Sequence, residues 1–212
     1  MRSTLGFIER LTLSPDQLGS EDVAALRTEG LTDQAITDAI YICVGFNIIN
    51  RVADALGVRV PPPKVFVRGV KFSLIFGYKI LSGLHIGGSS GDAYDPKMDN
   101  TQIEDHPVDD LYASKVKQLK ETVLSGPGAL DPAVRKAASL AAELPNGLGS
   151  YVKKVVRHAY KVTDEDITAL HQAGYSDDQL FELTVSAALG AGLVRLGSGL
   201  SALRGKAAIA ST

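Results

Sequence analysis

Apolar and polar positions fall into two helical blocks, separated by a stretch with no clear period. In the first block, Ser14-Pro15-Asp16-Gln17 has the form of a capping box with proline at the first helical position. A short acidic-capped helix follows and ends at Gly30; Thr32 then opens a longer apolar helix reaching about Leu56. In the second block, Asp131-Pro132 is an N-cap signal before a run rich in Ala, Val and Leu. Ser176-Asp177-Asp178-Gln179 is another capping box, opening a helix predicted to run to about Leu203. No stretch alternates with period two for more than a few residues, so the predicted fold class is all-α.

The two blocks resemble each other. Residues 20–56 align without a gap on residues 164–200 at an offset of 144, with eight identities. These are Glu21/Glu165, Asp22/Asp166, Ala25/Ala169, Leu26/Leu170, Gly30/Gly174, Asp33/Asp177, Arg51/Arg195 and Leu56/Leu200. Chance pairing of ordinary compositions gives about two or three. An internal helical-hairpin repeat is therefore expected. An apolar hairpin cannot bury its face alone, so the copies should pair within the chain or complete one another in a homodimer.

Charge divides the chain differently. Residues 61–85 carry Lys64, Arg68, Lys71 and Lys79 and no acid, whereas residues 86–112 carry seven acids and only Lys97. The expected organisation is a partial unit over 1–60, a basic apolar helix plus acidic linker over 61–112, and a full unit over 113–212. Lys64, Arg68 and Lys71 share one helical face, which suits an oligomer interface or a membrane surface. The 212 residues, 45% of them hydrophobic, can build a real core. A net charge of −2 argues against a dedicated nucleic-acid partner, and one cysteine, Cys43, excludes an internal disulfide and a Cys-rich metal site. No secretory signal or uninterrupted membrane span is legible, which points to a cytoplasmic protein.

The stretch Glu21–Gly57, with Phe46-Asn47, Arg51, Ala53-Asp54 and Leu56-Gly57 at its centre, resembles the C-terminal half of an alkylhydroperoxidase-like (AhpD-like) domain. That fold is shared with carboxymuconolactone decarboxylases. Residues from about Leu124 to Leu203 resemble a complete second copy. The resemblance implies a helical fold of the same type. Redox members of the family carry a Glu, a CxxC and a His, and those positions fall here on Lys136, Leu148, Tyr151 and Val155. Thiol peroxidase chemistry needs an attacking and a resolving sulfur, and neither is present at those positions.

The resemblance implies two functions. One is a peroxidase-related, non-redox small-molecule-binding or structural member with a degenerate active site. The alternative is a cofactor-free lyase of the decarboxylase type, acting on a small anionic substrate. Such a reaction needs cations to recognise carboxylates and a group to donate a proton. His158, Tyr151 and Glu182, with His171, are the catalytic candidates. Arg195, Arg51 and Asn47 are the ligand-binding candidates, with Arg195 expected to face the segment Tyr151–His158. Each arginine could instead be structural, Arg51 paired with Asp54 at i, i+3 or Arg195 with Glu182 of another chain. His85 and His106 flank acidic residues but match no zinc or EF-hand spacing, so no metal and no cofactor are expected. Gly87–Gly91 lacks the phosphate-loop lysine and reads as linker. The expected partner is a second copy of the chain, a dimer being favoured.

Overall fold

A computed structural model describes residues 2–58, 112–145 and 147–205. The basic apolar helix and acidic linker expected over 61–112, with His85, His106 and Gly87–Gly91, lie outside the described residues, Tyr112 excepted. Among the described residues every regular element is helical, so the fold is all-α. The two flanking segments pack into one unit.

Its elements are α1 (Arg2–Leu13), α2 (Ser20–Thr28), α3 (Asp33–Ala55), α4 (Ala113–Ser125), α5 (Pro132–Ser139), α6 (Leu148–His158), α7 (Asp164–Gln172) and α8 (Asp177–Leu203). Single 3-10 turns, Pro15–Gln17 and Ala159–Lys161, follow α1 and α6. The first of these corrects the sequence reading. Ser14 makes no side-chain cap, because Pro15 starts a single turn that ends at Gln17. The real N-terminal cap lies at Gly19, whose N–H donates to the Asp22 carboxylate at 3.0 Å. Asp131, Thr32 and Ser176 cap as expected, accepting from the N–H groups of Ala133, Ala35 and Gln179.

Several features recur 144 residues apart. Pro15–Gln17 and Ala159–Lys161, α2 and α7, and the starts of α3 and α8 stand at that spacing. So do the paired side chains Arg10–Asp22 and Lys154–Asp166, and Arg27–Asp33 and His171–Asp177. Gly30 and Gly174 close α2 and α7 with φ of +88° and +95°, a conformation glycine adopts without strain.

Helix α8 is apolar on all sides and forms the centre of the unit, packed antiparallel against α3. Glycines permit the close approach. A Cβ on Gly192 would lie 2.5 Å from Ile48, and one on Gly199 would lie 2.9 Å from Ile40. On a neighbouring face, a Cβ on Gly190 would lie 1.8 Å from the backbone oxygen of Ser139, so the end of α5 rests on bare helix backbone.

Two cores result. One gathers Phe7, Leu11, Leu26 and Ile40 with Leu196 and Leu203 of α8. The other gathers Leu148, Tyr151, Val155 and Leu183 with Ala55 of α3. Each long helix thus begins in one core and ends in the other. By length and composition alone α3 and α8 could each cross a membrane, a test that a buried core helix also passes.

Gly190→Ala should destabilise the fold by about 3 kcal/mol, because the backbone of Ser139 cannot give way as a flexible side chain would. Gly45→Ala, where the new methyl meets nothing within 4 Å, should instead stabilise by about 1 kcal/mol through helix propensity. Urea unfolding of the two variants checks both signs.

Candidate functional site

The three ligand-binding candidates come together at the crossing of α3 and α8. Arg51 donates through Nη1 to the carbonyl of Asn47 at 2.9 Å and to its side-chain Oδ1 at 2.8 Å. The Asn47 amide donates in turn to Thr12 Oγ1 at 3.2 Å and to the Cys43 carbonyl at 3.0 Å. Arg195 closes the network from α8. Its Nε and Nη2 reach the Thr12 carbonyl at 3.1 and 2.9 Å, and its Nη1 the Ala191 carbonyl at 2.8 Å. Arg51 Nε reaches the Val156 carbonyl at 3.3 Å.

Thr12 and Val156 occupy the last turns of α1 and α6, where helix carbonyls have no partner within the helix and carry the negative end of its dipole. Each guanidinium therefore satisfies an orphan carbonyl of the other half. The hydrogen bonds of Arg51 go to Asn47 and Val156 rather than to Asp54, its expected partner within the chain. Burial lowers the pKa of both guanidiniums, and the nearby Arg51 adds to the effect on Arg195, which is pushed down to about 10. Cys43, at 6% exposure, completes the cluster as a buried thiol against Thr12 and Asn47.

The catalytic candidates have separate surroundings. Tyr151 is fully buried, its hydroxyl 2.6 Å from Thr184 Oγ1. The Thr184 hydroxyl donates to the Leu180 carbonyl, so Tyr151 is the donor to Thr184. Burial raises its pKa. Glu182 accepts from the N–H groups of Ala129 and Leu130 at 2.8 and 2.9 Å and lies 3.9 Å from Arg135, tying the loop before α5 to α8. Burial works against its charge, but those donors and Arg135 outweigh it and leave the pKa lowered. The His158 ring stands edge-on to Tyr160, and His171 pairs with Asp177.

A cavity of about 710 Å³ opens between α4, α5 and α8. Its apolar lining includes Leu124, Leu140, Val156, Leu193 and Val194, with Lys120 and Lys136 as the only charged residues among those described. Gly197, on the same face of α8 as Gly190, has nothing within 4 Å of where its Cβ would lie and leaves the space a side chain would fill, whereas Gly190 is covered by the backbone of Ser139. Arg195 is not part of the lining, although Leu193, Val194 and Gly197 around it are. Neither His158, Tyr151 nor Glu182 lines the cavity.

Ala141, also in the lining, has φ +49°, a left-handed conformation that costs an alanine about 1–2 kcal/mol. Lys120 and Ala141 were not singled out from sequence. The small-residue rhythm of α8 was a legible signal for the hollow, whereas nothing local marks Lys120. Comparisons with protein-family models, curated proteins and solved structures find no significant match for this chain.

Replacing Arg195 with Met should lower stability by about 2 kcal/mol, since the Thr12 carbonyl is left without its donors. Arg195→Lys should recover only part, because an ammonium cannot reproduce the fork. Denaturant unfolding checks this; unchanged stability in Arg195→Met would refute the bracing role. Glu182 gives a pH dependence. Its folded pKa lies below the unfolded value, so its contribution is complete above about pH 4.3 and is lost as pH falls through the lowered value. Below that pH, the urea midpoint of Glu182→Gln should fall less steeply than that of the wild type.

Proposed function

We propose that this chain is an AhpD-like, carboxymuconolactone decarboxylase-like protein that works without redox chemistry, binding a small molecule in the cavity between α4, α5 and α8. The observation that carries this reading is the packing of α6. Leu148, Tyr151 and Val155, at the positions the resemblance assigns to the two cysteines and the histidine, are 0%, 1% and 0% exposed on one apolar face. No substrate can reach those positions. Lys136, at the position assigned to the glutamate, instead borders the open cavity. Its volume and largely apolar lining with a few polar groups suit a small organic ligand.

The shared features 144 residues apart support a duplicated unit, including the two arginines that each bond a carbonyl of the other half. A lyase would need a proton donor at the ligand, and the expected donors lie elsewhere. Binding is therefore the preferred reading. Self-association has its own support, since Ile42, Phe46 and Ile49 form an exposed apolar stripe on α3 among the described residues. Light scattering should give a dimer for the wild type and a smaller species for Phe46→Asp.

The cavity is tested with Nile red, a neutral apolar dye. Its fluorescence should rise on binding the wild type, and the rise should be lost in Gly197→Phe, where the new side chain enters open space. Equal binding by a folded Gly197→Phe would overturn the reading. The same protein should not turn over hydroperoxides with a disulfide reductase present. Turnover that disappears in Cys43→Ala would show a thiol cycle after all.

A further inference from the structure

Ala141 is the one non-glycine residue with a left-handed backbone among the described residues. It follows the C-cap of α5, where its N–H bonds the Ala138 carbonyl at 3.1 Å and that of Ala142 bonds Ala137 at 3.0 Å. The same double closure ends α2, α3 and α7, and there the left-handed position is Gly30, Gly57 and Gly174. Alanine at this position crowds its Cβ against the following carbonyl, a strain the other three helix ends avoid. The exception coincides with the cavity, whose wall includes both Ala141 and the neighbouring Leu140. Leu140, 78% exposed, forms part of that apolar wall with Leu124, Leu193 and Val194.

Among the described residues, charge at the cavity has one sign: Lys120 and Lys136 border it from α4 and α5, and no acid lines it. We propose that the ligand is an amphipathic anion, an organic carboxylate with an apolar body, and that Ala141 is a specificity-determining residue whose methyl group forms part of the wall against that body. The carboxylate lies at the lysine ammonium groups, where it keeps part of its hydration. The apolar body lies against Leu124, Leu193, Val194 and the Leu140–Ala141 turn. Residues held in strained conformations cluster at sites where the strained geometry is used, and a wall closed by one methyl is such a use. This inference rests on the cavity being the binding site.

The probes are octanoate and octanol, which share an apolar chain and differ in charge. Calorimetry at low salt compares the wild type, Ala141→Gly and the double variant Lys120→Gln/Lys136→Gln. The wild type should bind octanoate about tenfold more tightly than octanol, equivalent to one factor of ten in affinity. The double variant should bind the two about equally. Ala141→Gly should raise the melting temperature by about 2–4 °C as the strain is relieved, and weaken both ligands several-fold. An octanoate preference that is absent, or that survives in the double variant, overturns the anion assignment. Unchanged affinity in Ala141→Gly, or no gain in melting temperature, overturns the role of the methyl. If neither probe binds the wild type while Ala141→Gly still melts higher, the strain is real. In that case the cavity is not the site, and the proposal fails with it.

Discussion

Two guanidinium groups hold the unit together at its centre. Helices α1 and α6 end inside the structure, and the carbonyls of their last turns need donors that the helices cannot supply. Arg195 provides them for Thr12 and Arg51 for Val156, each reaching from a long helix of one half into the other half. Burial lowers the pKa of Arg195, and the nearby charge of Arg51 lowers it further. Removing either cation would strand a part-buried carbonyl without its donor, and the planar fork serves several acceptors at once. Asn47 and Thr12 link the two groups into one hydrogen-bonded network.

The remaining packing depends on this crossing. With α3 and α8 held at its centre, Gly192 and Gly199 receive the branched side chains of α3, and Gly190 receives the end of α5. Gly197, on the same face as Gly190, has nothing above it, and there the cavity opens. The glycines of α8 therefore allow close helix contact on one face and create space on another. The same helix supplies the fold's centre and the wall of its candidate site. Absent side chains therefore shape the candidate cavity more than polar ones do.

The residues suggested as chemistry from sequence divide along physical lines. Arg51, Arg195 and Asn47 do meet, but their hydrogen bonds go to backbone carbonyls, to one another and to the side chains of Thr12 and Cys43. Tyr151 is a core residue with a satisfied hydroxyl, and Glu182 is the anchor of the loop before α5. Polar residues on apolar helices stand out in a sequence whether they face a ligand or an orphan carbonyl. Residue type cannot separate those cases, because both call for a cation in an apolar setting.

Helix content, most caps and the glycine ends of α2 and α7 were legible along the chain, because each depends on residues within one or two turns of itself. The apolar rhythm of α3 and α8 likewise announced two long helices that need partners, although Ile42, Phe46 and Ile49 leave one face of α3 exposed. The face on which they meet depends on side chains more than 140 residues apart. So does the hollow beside Gly197, which exists because three helices are held around a place with no side chain. Lys120 and Lys136 come from different helices, and only folding sets them at one rim. The left-handed turn at Ala141 runs against the local preference of alanine, so it is imposed by the packing of α5 on α8 rather than by the residue itself.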